Sequence, residues 1–246
     1  MTEKKIEKTE KTNWKPTDNR FVAFLDILGF KDLVMRKSHD EIYQTLNQLS
    51  KSKKLIEKAA ELKAVGDAEV YVVSFSDSIV IFSKNDNIEN FKYFLLATRW
   101  LFTGAFNKQI PIKGGFAHGE ISLNKTEQIY FGQPIIDAYL IEEDVNYMGV
   151  VAHNSIDEYI SKISDKKDIN SINNILFEEK TPLKCGILTH TNLNWFKIIK
   201  EKDKDNFDIE DIKNKINLFK KSSSGSARKY IDNTLLLFEK IENKLK

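Results

Sequence analysis

The sequence predicts an α+β domain with a mainly antiparallel sheet and helices on one face. Three observations carry this. Short apolar, β-branched runs alternate with longer stretches of helical period. Two pairs of runs, 69–76 with 79–83 and 120–123 with 128–131, are separated by short polar steps that read as hairpins. The resulting order is strand, helix, hairpin, helix, strand, hairpin, helix, which suits a sheet layered against helices.

Residues 20–27 form the first expected strand, and 31–36 a short run that can be helical. Ser38-His39-Asp40-Glu41 has capping-box spacing and starts a helix through Ile42, Leu46, Leu49, Leu55 and Leu62. Gly66-Asp67 breaks it. Ser76-Asp77-Ser78 is the tip of the first hairpin. Asn85-Asp86-Asn87 then opens a long helix through Phe91, Phe94, Leu95, Leu101 and Phe102, apolar enough to lie against a sheet. The strand at 110–118 contains Gly114-Gly115, and glycine inside a strand marks close approach of a backbone or ligand. Gly132-Gln133-Pro134 opens a helix, with Pro134 near its first turn. A short strand is expected at 148–152, a charged loop at 162–173 and another strand at 183–188. From Ile209 onward two helices are expected, split at Ser222–Gly225. The chain is expected to divide into a flexible tail at 1–18, a main α+β domain at 19–180 and a C-terminal α-rich extension at 181–246.

Composition excludes several classes. In 246 residues the hydrophobic share is 41%, enough for a real core, and the net charge of +2 argues against a nucleic-acid binder, which carries a clustered basic face. The single cysteine, Cys185, excludes an internal disulfide framework. Residues 1–18 lack the apolar core of a signal peptide, and no apolar run reaches membrane-spanning length. The expectation is a soluble cytoplasmic protein that does not insert into membranes. Arginine is scarce, at Arg20, Arg36, Arg99 and Arg228 only.

The chemistry centres on Phe21-Val22-Ala23-Phe24-Leu25-Asp26-Ile27-Leu28-Gly29-Phe30. An apolar strand there delivers one carboxylate to a glycine turn. Backbone N–H groups at such a turn can hold an anion while the acid holds a cation. Asp77, at the hairpin tip, converges on Asp26 if the hairpin lies beside the first strand. Two such acids repel unless a divalent cation lies between them, and Mg²⁺ takes one or two carboxylates plus substrate phosphates. Singly, Asp26 also reads as a helix N-cap and Asp77 as a turn residue. An acid buried among apolar neighbours without a partner is costly, which weighs against the plain reading of Asp26.

Four motifs carry a resemblance: Phe24-Leu25-Asp26-Ile27-Leu28-Gly29-Phe30, Ser74-Phe75-Ser76-Asp77-Ser78-Ile79-Val80, Lys113-Gly114-Gly115-Phe116-Ala117-His118-Gly119 and Tyr130-Phe131-Gly132. In this order they resemble the class III nucleotide cyclase catalytic domain, a ferredoxin-like βαββαβ fold. More closely they resemble the bacterial pyrimidine cyclases of anti-phage signalling (the Pycsar type). Ala138-Tyr139 followed by Glu142 and Glu143, Asn194-Trp195, Lys229-Tyr230 and Asn233-Thr234 extend the resemblance over roughly 20–240. It implies that Asp26, Asp77 and the Ile27 carbonyl ligate two Mn²⁺ or Mg²⁺ ions, and that N–H groups of Leu28, Gly29 and Phe30 cradle phosphates. The implied reaction converts UTP or CTP to the 3′,5′-cyclic nucleotide and pyrophosphate. A homodimer with shared sites and a separate effector of the product are also implied, and uridylate is favoured over cytidylate.

Departures from the family pattern sharpen this. Val73 and Ile129 stand where purine cyclases carry their base-reading lysine and Asp or Thr. Ile136 and Leu140 stand where the family carries its transition-state Asn and Arg. Lys113 is the first candidate for the missing donor, ahead of Arg99, Arg228 and Lys229, with a solvated strand lysine as the plain alternative. Tyr139 and Asn233 are candidates for base or ribose contact, against core packing and a polar helix face. His118 is a candidate for stacking on the nucleotide, against a satisfied strand histidine, and His153 and His190 lack metal spacing and read as structural. The rival functions are an inactive nucleotide-binding sensor and an adenylate or guanylate cyclase with an altered pocket.

Overall fold

The computed structural model describes residues 14–61, 67–196, 209–221, 223 and 225–245. β1 (Thr17–Ile27) runs through the sheet interior, between β3 (Ser78–Ser83) and β4 (Ile112–Asn124), and is antiparallel to both. β2 (Val70–Phe75) forms the hairpin with β3. β5 (Ile129–Phe131), β6 (Val150–Ala152), β7 (Leu176–Leu183) and β8 (Gly186–Leu193) complete an eight-stranded sheet. Its order is β2-β3-β1-β4-β6-β8-β7, with β5 pairing β4 off this path. Among the described residues only β4 and β6 pair in parallel, so the fold is α+β with a mainly antiparallel sheet.

The helices are α1 (Phe30–Arg36), α2 (His39–Glu61), α3 (Ile88–Asn107), α4 (Gln133–Asp144), α5 (Asn154–Ser161), α6 (Lys166–Asn173), α7 (Ile209–Leu218) and α8 (Arg228–Leu245). Strand alternation sorts the core into two faces. Phe21, Ala23, Leu25 and Ile27 of β1 join the large cluster that contains α2 and α3, together with buried residues of α5 to α8. Val22 faces the other way, with Phe24 packed beside it, in a cluster with Ala117 and Ala138. So α4 lies on the face opposite α2 and α3, where a single helical layer was expected.

Glycine makes this possible. A Cβ on Gly115 would meet the Ala138 carbonyl at 2.4 Å and the Glu142 nitrogen at 2.8 Å. The buried residues of α4 are Pro134, Ala138 and Glu142, a stripe at four-residue spacing that lies on β4.

Several boundaries differ from the sequence expectation. β1 begins at Thr17, because Arg20 is fully buried and its guanidinium holds the carbonyls of Lys15 and Lys84. Trp14 follows, donating to Glu69 at 3.1 Å. The strands expected at 110–118 and 120–123 are one strand, β4. The expected strand at 183–188 straddles the turn of the β7–β8 hairpin, and the 180/181 division falls inside β7. The charged loop expected at 162–173 holds α6, capped by Asp165 accepting from the Lys167 and Asp168 amides. The capping box at α2 is as read: the Glu41 amide donates to Ser38 Oγ at 3.3 Å and the Ser38 amide to Glu41 Oε2 at 3.0 Å. Leu62, Gly66, Ser222 and Ser224 lie outside the described residues.

The segment after α4 is laced in place. The Asn146 amide donates to Pro182 O at 3.1 Å and the Lys184 amide to Asp144 O at 2.7 Å, with a Val145–Leu183 bridge between them.

Gly115→Ala is expected to lift α4 from the sheet and destabilise by about 1–3 kcal/mol. A thermal melt should show a drop on the order of 5 °C.

Candidate active site

Asp26 is the penultimate residue of β1, opposite Ser78 on β3 and Lys113 on β4. By alternation its side chain projects to the α4 face. Ser78 Oγ donates to Asp26 Oδ1 at 3.4 Å. Asp77 sits in the turn between β2 and β3, after Ser76, whose φ of 56° places it in the left-handed region. The Ile27 amide donates to the Asp77 carbonyl at 3.3 Å, which holds the turn against the end of β1. The structure therefore brings Asp26 and Asp77 to the same end of the sheet.

Lys113 and Glu142 form a buried ion pair beside them. Lys113 Nζ lies 2.7 Å from Glu142 Oε1, off the hydrogen-bond axis. It donates to the carbonyls of Glu142 at 2.5 Å and Glu143 at 3.4 Å, at the end of α4. Burial raises the Asp26 pKa to about 7, with Glu142 and Asp77 adding to the rise and Lys113 and Ser78 opposing it. Burial also raises the Glu142 pKa, against the pull of Lys113. Tyr230 on α8 lies in the same field: burial raises its pKa, Lys184 opposes this, and Glu142, Glu143 and Asp26 reinforce it.

Asp26 thus lies in the field of two further acids, Asp77 and Glu142, with Lys113 opposing them. Two carboxylates suit an ion that takes its other ligands from peptide oxygens, substrate and water. Among the described residues no group of three or more His, Cys, Asp or Glu is arranged to hold a metal by itself.

The remaining predicted residues fall differently. The Leu28 amide donates to Pro111 O at 2.9 Å, so it does not serve an anion. Gly29 adopts φ 74° and starts α1, with Phe30 as the first helical residue. Lys113 is turned onto α4 and does not present a free ammonium to phosphates. Asn233 Nδ2 donates to Asn146 O at 2.7 Å, and Thr234 Oγ accepts from the Met148 amide at 2.8 Å. Both clamp α8 to the segment after α4, which is a structural task. Tyr139 packs edge-on against Phe24 at 5.4 Å. Arg228 holds the Ser223 carbonyl at 3.2 Å, and Arg99 is buried on α3. His118 pairs with Asp86 at 3.1 Å, against the rings of Phe21 and Tyr159.

Sequence reasoning did not place Glu142 against Lys113; the signal was its four-residue step from Ala138. It also passed over a cleft of about 370 Å³ beside Asp77, on the helical face. Tyr43, Asn47, Ser50 and Lys53 of α2 line that cleft together with Ser76.

No family model and no curated protein matches the chain. Among solved structures, a bacterial light-regulated adenylyl cyclase is similar with a TM-score of 0.48 and 12% identity, over 75% of this chain and 94% of that one. The catalytic core of a rhodopsin-guanylyl cyclase with converted specificity is similar with a TM-score of 0.49 and 15% identity, over 72% and 94%. Both scores lie below 0.5, and the functional reading rests on the side chains above. No helix among the described residues is long and apolar enough to cross a membrane.

A cation at Asp26 would need its carboxylate ionised. Mn²⁺ affinity measured by calorimetry should rise about tenfold per pH unit towards pH 7 and level above it. The sign for the empty protein is opposite. A raised carboxyl pKa contributes stability below about pH 4 that is lost as pH rises through about 7. Asp26→Asn should therefore melt higher than the parent at pH 8, by on the order of a few degrees, and converge with it at pH 4. Asn233→Ala should lose about 1 kcal/mol of stability, seen in a melt, without changing nucleotide affinity.

Proposed function

We propose that the chain is a divalent-metal-dependent nucleotide cyclase that acts on a pyrimidine nucleoside triphosphate. The observation that carries the reading is the acid cluster at the end of β1, where the hairpin turn that holds Asp77 is bonded to Ile27 beside Asp26 and the buried Lys113–Glu142 pair lies next to them. Asp26, Asp77 and the Ile27 carbonyl would hold the ions. Bound there, two Mn²⁺ or Mg²⁺ ions supply the positive charge that acidifies a ribose 3′-hydroxyl and neutralises departing pyrophosphate. The protein itself orients the triphosphate so that the 3′-oxygen attacks the α-phosphorus in line, forming one P–O bond and breaking another. The hydroxyl proton leaves to solvent. The amides of Gly29 and Phe30, at the turn after β1, are the backbone groups nearest in sequence to that task.

Support for a pyrimidine base comes from Val73 and Ile129, which offer no hydrogen bond where purine cyclases read the base. Uridylate is the preferred substrate under this reading. Support for a homodimer comes from α4, where Ile136 and Leu140 are 52% and 57% exposed and share one side of the helix. Ile129 and Phe131 of β5 are exposed as well. The product would act as a second messenger on a separate effector in anti-phage defence.

The second reading is a nucleotide-binding sensor without turnover. It is favoured by the same Ile136 and Leu140, which carry no charge to a transition state. Incubation with an equimolar pool of four nucleoside triphosphates and Mn²⁺, followed by mass spectrometry, separates the readings. Cyclic UMP or cyclic CMP with pyrophosphate is the expected product, and Asp77→Ala should reduce turnover to background with the fold intact. Binding without turnover gives the sensor, and purine products alone give an adenylate or guanylate cyclase.

A further inference from the structure

Asp26 and Lys113 are direct partners across the β1–β4 pairing, and both project to the α4 face. A lysine opposite a carboxylate on neighbouring strands ordinarily closes a cross-strand ion pair. Here it does not. The ammonium turns to the end of α4, where Glu142 Oε1 lies at 2.7 Å and the Glu142 and Glu143 carbonyls accept from it. The carbonyl end of a helix is itself a partial negative charge, so the helix and the carboxylate act together. Among the described residues Asp26 is left with one long hydrogen bond, from Ser78 at 3.4 Å. Glu142 is 2% exposed and Lys113 5%, so neither exchanges its partner for water.

We propose that Glu142 is a positioning residue that diverts Lys113 from Asp26 and so keeps the Asp26 carboxylate open to a divalent cation. The inference rests on the reading of Asp26 as a metal ligand. It assigns the buried pair a task other than stability, since an apolar pair of similar volume packs as well or better in many interiors. Without the Glu142 charge, the carboxylate directly across from Lys113 on the neighbouring strand is that of Asp26. An ammonium seated there competes directly with a cation.

The test is Mn²⁺ affinity, measured by calorimetry on the full chain with a non-hydrolysable nucleoside triphosphate present. Glu142→Gln should weaken Mn²⁺ binding by about tenfold or more. Adding Lys113→Met to Glu142→Gln should return the affinity to near the parent value, because the competitor is gone. A purely structural role predicts no such rescue. Equal affinity in parent and Glu142→Gln, or a double variant as weak as the single one, overturns the proposal. If Glu142→Gln does not fold, the apolar double variant Lys113→Met with Glu142→Met decides it: near-parent affinity supports the proposal and lost affinity overturns it. Absence of Mn²⁺ binding in the parent removes the metal-ligand reading itself, whereas parent binding with unaltered variants removes only the role of Glu142.

Discussion

Everything around Asp26 depends on how closely α4 can lie on β4. Gly115 removes a side chain that would hold the helix off, and Ala138 meets it with the smallest side chain available. The approach sets the height of the whole helix above the sheet. One turn further on, it brings Glu142 and the last carbonyls of α4 onto Lys113. A backbone contact in the middle of a strand thus fixes the electrostatics at its end. The same docking leaves Ile136 and Leu140 on the outer side of α4, away from the buried stripe.

Burial and charge then act in opposition around Asp26. The apolar residues on either side place a carboxyl where ionisation is disfavoured, and Asp77 and Glu142 disfavour it further. Lys113 relieves this only in part, because its ammonium faces Glu142. The result is a group poised near neutrality and short of positive charge. Such an arrangement destabilises the empty fold when ionised, and stored destabilisation of this kind is common where a ligand later supplies the missing charge.

Local features were the legible ones. An acid inside an apolar strand, a three-residue polar hairpin tip and the Ser38–Glu41 capping box each declare themselves within a few residues. From them the nearness of Asp26 and Asp77 follows once the hairpin pairs with β1. Gly114-Gly115 also reads correctly as a place of close approach, although not which backbone arrives. What stayed hidden depends on distant partners. The Lys113–Glu142 pair spans 29 positions and exists only because α4 docks on β4, on the face opposite α2 and α3. The Leu28 amide is taken by Pro111, which no pattern around Gly29 reveals. α6 is short and charged, and its place is set by Ile172 in the core and the Lys92–Asp168 ion pair at 2.6 Å. The β7–β8 hairpin was misread because apolar residues flank its turn, while Gly186, with φ 138°, marks where the chain reverses.

The outer strand β7 has a wider consequence. An uncovered edge strand is a template on which another chain can add. At the Pro182 end that template is closed. Proline has no amide hydrogen to offer, its carbonyl is already taken by Asn146, and Val145 bridges to Leu183. Sheets of separate molecules cannot join there into a continuing ribbon. Growth of an assembly by strand addition is blocked at that end of β7.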